Sequence, residues 1–477
     1  MKDGRCAGSL TGLWRFPDGG LHRPVYSSPQ PPGTRRGPFM TTPAGPSDAV
    51  LLRSLYDAAV AAVNPGPATE SALERLAPSG TRPLWILALG KAAAPMAQAA
   101  SHYARRTGRH LVGGLVVAPD LGPAPDAALP VVQGDHPEPG PASFVAAELL
   151  GQIAARVGAG DDVWVLLSGG TTSLIGAPRD GFAPGELKEV YARLLASGLD
   201  IGDMNRIRKR FTRWGGGKLA AALAPAHILQ LVVSDVIGDD LPSIGSGPCV
   251  PDPMTAADTR ALLQRTGLWT TLPASIRTVI EATEAGKLPE TPKPGDAAFA
   301  SVETAIISSN RLALEAAARR ATELGLASEI VSEPLAGEAR TAGASVAATL
   351  RNYSQARQTQ ALTRRCVIWG GETTVTLGDH PGLGGRSQEL ALAAAQTLAG
   401  SEGVSLLAGG TDGRDGPTDA AGAIVDGRTW AAIQAAGRDP ARDLDRHDAY
   451  HALAAAGVLL QPGLTGTNVM DVVIGVA

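Results

Sequence analysis

Two hydrophobic periods take turns along this chain. From residue 84 onward, apolar runs of about five residues alternate with Ala-rich stretches of helical period, the sequence form of a buried parallel α/β sheet. The runs at 84–89, 113–118, 131–133, 163–167 and 228–234 predict a first series of strands. A second series follows at 304–308, 366–369, 373–377, 404–408 and 472–476. Between them KLPETPKPGD (287–296) is rich in Pro and Lys and has no period, which marks a linker. The expected organisation is therefore an α/β domain over 48–286, a linker over 287–300 and a second α/β domain over 301–477. Residues 1–40 are rich in Pro, Gly and Arg without apolar periodicity and read as a disordered or non-native extension ahead of Met40. An amphipathic helix is expected to start after Ser47-Asp48.

The polar residues gather where strands end, which is where open α/β sheets hold ligands. The first strand ends at Gly90-Lys91, with a helix starting at once, so Lys91 can reach a phosphate as a mobile point charge. The strand at 163–167 ends in Ser168-Gly169-Gly170-Thr171, small donors suited to an oxyanion. The strand at 228–234 delivers Asp235 and then Asp239, acids able to hold Mg²⁺ or to take a proton from a hydroxyl. In the second series a strand runs into Gly370-Gly371-Glu372, and a glycine-rich turn leads to Arg386 at the start of a helix. Free N–H groups and the positive dipole end are expected there, which makes Arg386 a candidate phosphate or carboxylate clamp. GGTDGRDGPTDAAG then supplies a further acid cluster with Asp412 and Asp415. His136 lies in a loop of prolines and glycines and is a weaker candidate.

Composition narrows the field. Against 46 acidic side chains there are 42 basic ones, so no global field recruits nucleic acid or acidic membrane. The basic stretch DMNRIRKRFTRW (203–214) reads as a two-faced helix with Met204, Ile207, Phe211 and Trp214 inward and a solvated basic side. Three scattered cysteines give neither a disulfide framework nor a zinc knuckle, and the expected compartment is cytoplasmic. No P-loop, G-x-S-x-G elbow or kinase-type H-R-D is present. A G-x-G-x-x-A match at 215–220 follows a helix instead of a strand, which removes its mechanical basis. Separated cations, glycine-hydroxyl loops and acid clusters together fit a phosphotransferase outside the P-loop classes.

The motifs GKAAAPMA, GDHPEPGPAS, LLSGGTTSL, SDVIGDDLPSIGSGPCVPDP, GGETTVTLGDHPGLGGRSQELALAAA, GGTDGRDGPTDAAGAIVD and TGTNVMDVVI, in this order, resemble the glycerate 2-kinases that end in a MOFRL domain. The resemblance implies a Rossmann-like N-terminal domain of the DUF4147 type and a C-terminal MOFRL domain. It also implies ATP- and Mg²⁺-dependent phosphorylation of D-glycerate at the 2-hydroxyl, with the active site in the cleft between the two domains; a homodimer is a separate expectation. Carried over by residue, it makes Lys91, Arg386 and Asp235 catalytic. Ser168, Gly169, Gly170, Thr171, Asn310, Gly370 and Gly371 become contacts to nucleotide or substrate, and Asp239, Glu372, Asp412 and Asp415 metal ligands. Ile237, Cys249, Ser387 and Met470 depart from the family pattern. The rival readings are an NAD(P)-dependent hydroxypyruvate reductase and a non-catalytic sugar-acid binding protein.

Overall fold

The computed structural model describes residues 47–179, 182–199, 201–360 and 363–477. The expectation for residues 1–40 lies outside them. The first sheet is formed by β1 (Leu84–Leu89), β2 (Leu111–Ala118), β3 (Val131–Gln133), β4 (Asp162–Leu167), β5 (His227–Val233) and β6 (Val302–Ser308). All its neighbours pair in parallel in the order β3-β2-β1-β4-β5-β6. β1 and β4 are buried along their whole length, as strands with helices on both faces must be. The chain turns to one side after β1 and to the other at β4, so the sheet's topological switch lies between the ends of those two strands.

A second sheet contains β7 (Ala327–Ile330), β8 (Arg365–Gly371), β9 (Ser405–Gly410), β10 (Gly422–Asp426), β11 (Leu459–Leu460) and β12 (Asp471–Val476), in the order β11-β10-β9-β12-β8-β7. It is mixed, since β12 inserts antiparallel between β8 and β9. In consequence the ends of β8 and β9 and the start of β12 open on one edge, and the residues that follow Gly371 and Gly410 meet Asp471 there.

Three local expectations change. The strand expected to open the second domain, now β6, pairs with β5 in the first sheet, so sheet membership crosses the expected linker. Helix Asp48–Ala62 crosses it the other way: Leu52, Leu55 and Tyr56 share one apolar cluster with Ile86 and Leu231 of the first sheet and with Ile368, Leu407 and Ile474 of the second. Segment 373–377 is no strand and makes only an isolated bridge between Thr374 and Glu338.

The basic helix, observed over Ile201–Phe211, buries Met204, Ile207 and Phe211 as its period requires. Its basic side is only partly solvated, because Lys209 and Arg210 are buried and paired with Asp252 and Glu290, at 3.1 and 2.9 Å. Breaking such a buried pair costs about 3–5 kcal/mol through the charge left behind. Those two residues therefore act as framework for the loops after β5. No helix among the described residues is long and apolar enough to cross a membrane.

Candidate active site

The switch between β1 and β4 is stitched by short-range hydrogen bonds. The Lys91 N–H donates to the Gly169 carbonyl at 2.9 Å, and the Ala92 N–H donates to Ser168 Oγ at 3.0 Å. The Thr171 hydroxyl lies within reach of the Leu89 and Ser168 carbonyls, at 2.8 and 2.7 Å. Ser168 and Thr171, expected to touch a ligand, are buried and brace the turn, and Ser168 also lines the cavity described below. What the turn presents is backbone. Gly169 must lack a side chain, because a Cβ there would lie 1.8 Å from Asp235 Oδ2. At Gly170, where φ is +83°, a Cβ would lie 3.1 Å from the His136 ring and 3.2 Å from Lys91 Cγ.

Lys91, His136 and Asp235 therefore converge on one glycine turn. Burial pushes the Asp235 carboxyl up, against the pull of its own backbone N–H and of the Lys91 ammonium. Burial, and then the Lys91 charge, lowers His136 and favours neutral imidazole. Lys91, Gly169 and Asp235 line a cavity of about 280 Å³, closed from the second sheet's side by Asp412, Thr467 and Asn468.

Asp412 accepts the Arg414 N–H at 3.0 Å, a turn bond that leaves one carboxylate oxygen uncommitted. Asp235 and Asp412 are thus the acids that share the Lys91 cavity. Mg²⁺ usually takes one or two protein carboxylates and keeps phosphate or water oxygens for the rest, so this donor set fits it. The four acids expected as metal ligands do not assemble: Asp412 lines this cavity, Asp239 a second, Glu372 and Asp415 a third. Among the described residues no group of three or more His, Cys, Asp or Glu is placed to hold a metal ion.

The second cavity, about 510 Å³, is bounded by Asp239, Asn310, Gly370 and Gly371 together with Ile237, Ile330 and Met470. Asn310 is largely committed within the protein. Its Nδ2 donates to the Val469 and Asp471 carbonyls, both at 2.9 Å, which ties the end of β6 to the start of β12.

The third cavity, about 530 Å³, contains Arg386. Helix Arg386–Leu398 starts there as expected, but its N-terminus is not open to an anion, because Asp415 accepts from the Ser387 and Gln388 N–H groups at 3.2 and 2.7 Å. Asp415 is therefore a helix cap. Burial pushes its carboxyl up to about 7, partly offset by the Gln388 N–H, with the Asp471 charge adding to the rise and the Ser387 N–H and Arg386 opposing it.

Arg386 has a partner that sequence reasoning missed. Asp471 accepts from its Nε at 2.6 Å and its Nη2 at 3.1 Å, while Glu372 pairs with its Nη1 at 2.5 Å. Asp471 is buried and Glu372 is exposed, so one carboxylate fixes the guanidinium and the other can exchange. Burial pushes Asp471 up, Arg386 opposes this, and charge from Glu372 and Asp412 adds to the rise. Asp412 and Asp471 both flank Gly410, their Oδ1 atoms 3.1 and 3.4 Å from where a Cβ on it would lie, which sets the Arg386 cluster beside the Lys91 cavity. The available signal was the acid in TGTNVMD, the one charged residue at the mouth of an otherwise apolar strand.

The G-x-G-x-x-A match lies inside the protein: Gly215, Gly216 and Gly217 are buried, and a Cβ on Gly217 would meet the Phe299 ring at 2.7 Å. No pyrophosphate can approach that backbone.

Residues 51–281 match a family described as a domain of unknown function, DUF4147, and residues 365–471 match the MOFRL family. The D-glycerate 2-kinase of Thermotoga maritima is 37% identical over 393 residues, which cover 82% of this chain and 89% of the relative. A putative hydroxypyruvate reductase of Agrobacterium vitis is 37% identical over 426 residues, covering 88% and 93%. The crystal structure of a Thermotoga maritima glycerate kinase aligns with a TM-score of 0.80 at 35% identity, over 90% of this chain and 99% of that one.

Proposed function

The chain belongs to the glycerate kinase family that joins a DUF4147 region to a MOFRL region, and we propose that phosphoryl transfer takes place in the cavity where Lys91, Asp235 and Asp412 meet. The reaction is that of a glycerate 2-kinase: ATP phosphorylates D-glycerate at the 2-hydroxyl, giving 2-phospho-D-glycerate and ADP. The observation that carries the placement is the convergence of a mobile cation and a half-buried carboxylate on the glycine turn at the first sheet's topological switch.

In this reading the 2-hydroxyl lies against Asp235, whose raised affinity for a proton suits it to accept the hydroxyl hydrogen as the oxygen attacks. Lys91 balances the charge of the transferring phosphoryl group from one side. Arg386, held by Asp471, balances it from the other once the exposed Glu372 gives up Nη1. Backbone at Gly169 and Gly170, with neutral His136 beside it, receives the substrate carboxylate without side-chain obstruction. Mg²⁺ bound with ATP would neutralise phosphate charge, and in this reading Asp412, which lines the same cavity, would help to hold it.

Lys91→Ala tests the assignment. Turnover of D-glycerate is expected to fall by about 10²–10⁵ with the fold retained, the range typical for loss of a cation that acts on a transferring phosphoryl group. Phosphorus NMR of the wild-type product should show 2-phosphoglycerate. Unchanged turnover in the variant would remove Lys91 from the chemistry, and NADH oxidation with hydroxypyruvate in place of ATP consumption would point to the reductase.

A further inference from the structure

We propose that the adenosine part of ATP binds in the apolar cleft between the 236–239 turn and the edge of the second sheet, a placement that rests on the kinase reading. The cleft holds about 510 Å³, a volume suited to a nucleoside. One lip is Val236 and Ile237, directly after Asp235. The other is Ile330, Val331 and Pro334, just past β7 and at its end. Ile237 is 43% exposed and Ile330 38%, among the few large apolar side chains so open in the described residues. Aliphatic side chains from two separate segments lining one cavity, left wet, carry a hydration cost that a flat heteroaromatic base seated against them would relieve.

The backbone supports a function at the same place. Asp239 and Met470 both border this cleft and both take the left-handed conformation, with φ of 56° and 68°, which costs a side-chain-bearing residue free energy that functional sites commonly retain. At the rim Glu315, paired with Arg311 at 2.9 Å, offers a carboxylate to ribose hydroxyls.

Continuity with the transfer centre decides against the cavity beside Arg386. Val233 and Asp235 line the Lys91 cavity and Val236 to Asp239 the apolar cleft, while Gly466 to Asn468 line the first and Met470 the second, so the two adjoin along two stretches of chain and a triphosphate laid along these runs from the base to Lys91. The Arg386 cavity adjoins the Lys91 cavity along one stretch only, through Asp412 and Asp415, and Glu372, Glu389 and Asp415 line it, so it offers no second wall for a nucleotide tail and leaves Arg386 to act at the transferring phosphoryl group alone.

The test is calorimetric titration of the full chain with the non-hydrolysable β,γ-imido analogue of ATP, alongside steady-state kinetics. Ile237→Asp and Ile330→Asp should each weaken analogue binding and raise the ATP KM about tenfold or more, while the D-glycerate KM stays within about twofold. Leu377→Asp, an exposed apolar side chain of the Arg386 cavity, should leave analogue binding unchanged. Unaltered binding in both isoleucine variants, or weakened binding in Leu377→Asp alone, overturns this placement while the kinase reading stands. A wild-type chain that neither binds the analogue nor phosphorylates D-glycerate overturns both.

Discussion

Asp471 shows how a single residue can be hidden in a sequence and still organise a site. Lys91 and Asp235 were legible because each directly follows a strand, and strand ends are where such sheets place ligands. Asp471 opens its strand instead of following it, so it reads as the polar edge of a core segment; only the antiparallel insertion of β12 brings it beside Glu372 and Arg386. A bidentate carboxylate fixes both position and orientation of a guanidinium, and misplacing such a group by about 1 Å can cost two orders of magnitude in rate. Asp471→Asn is therefore expected to lower kcat about 100-fold with the D-glycerate KM little changed, since Asp471 does not line the Lys91 cavity. Asp471→Glu should recover part of the loss. A kcat within twofold of wild type, in a variant with native circular dichroism, would make the pair structural only.

At the scale of the element, helix Arg386–Leu398 starts where it was expected, but the N–H groups of its first turn are already taken. Its apolar period and glycine-rich approach announced the start. No local pattern announced that a carboxylate 29 residues beyond Arg386 would return to take the N–H groups an anion was expected to find. That cap carries a pH signature. Asp415 titrates near 7 in the folded chain and near 4 when unfolded, so between those values the folded state holds a proton that the unfolded state has released. Stability tied to Asp415 is full at acid pH and is lost as pH rises toward 7. Asp415→Asn removes this dependence. The variant should gain about 2 kcal/mol relative to wild type between pH 5 and pH 8, seen as a narrowing gap in melting temperature across the series. A constant gap would show that Asp415 is ionised throughout. The same helix explains why the metal set did not assemble: an acid that caps a buried helix end is no longer available to an ion, and spacing in a glycine-rich loop cannot tell the two uses apart.

Over the whole molecule, alternation of strands and helices revealed the class of both sheets but not how they share a core. A strand followed by a helix looks the same whichever sheet it joins, which is why β6 was expected on the wrong side of the linker. Helix Asp48–Ala62 is the counterpart, an N-terminal element whose apolar face packs with both sheets. Through it the first residues of the fold reach the second half of the site. Tyr56, fully buried, donates its hydroxyl to the Gly410 carbonyl at 2.6 Å, and Gly410 ends the strand that leads to Asp412. Tyr56→Phe keeps the ring in place and leaves that carbonyl without its buried partner, a loss of about 1–2 kcal/mol. If transfer uses Lys91 from one sheet and Asp412 from the other, loosening the end of β9 should lower kcat several-fold, and chiefly the Mg²⁺-ATP side of the reaction, although Tyr56 lines neither the Lys91 cavity nor the apolar cleft. The measurement is kcat and both KM values beside the melting temperature. A lower melting temperature with unchanged kinetics would mean that Asp412 takes its position from the loop alone, and that the shared core stabilises the protein without setting the geometry of transfer.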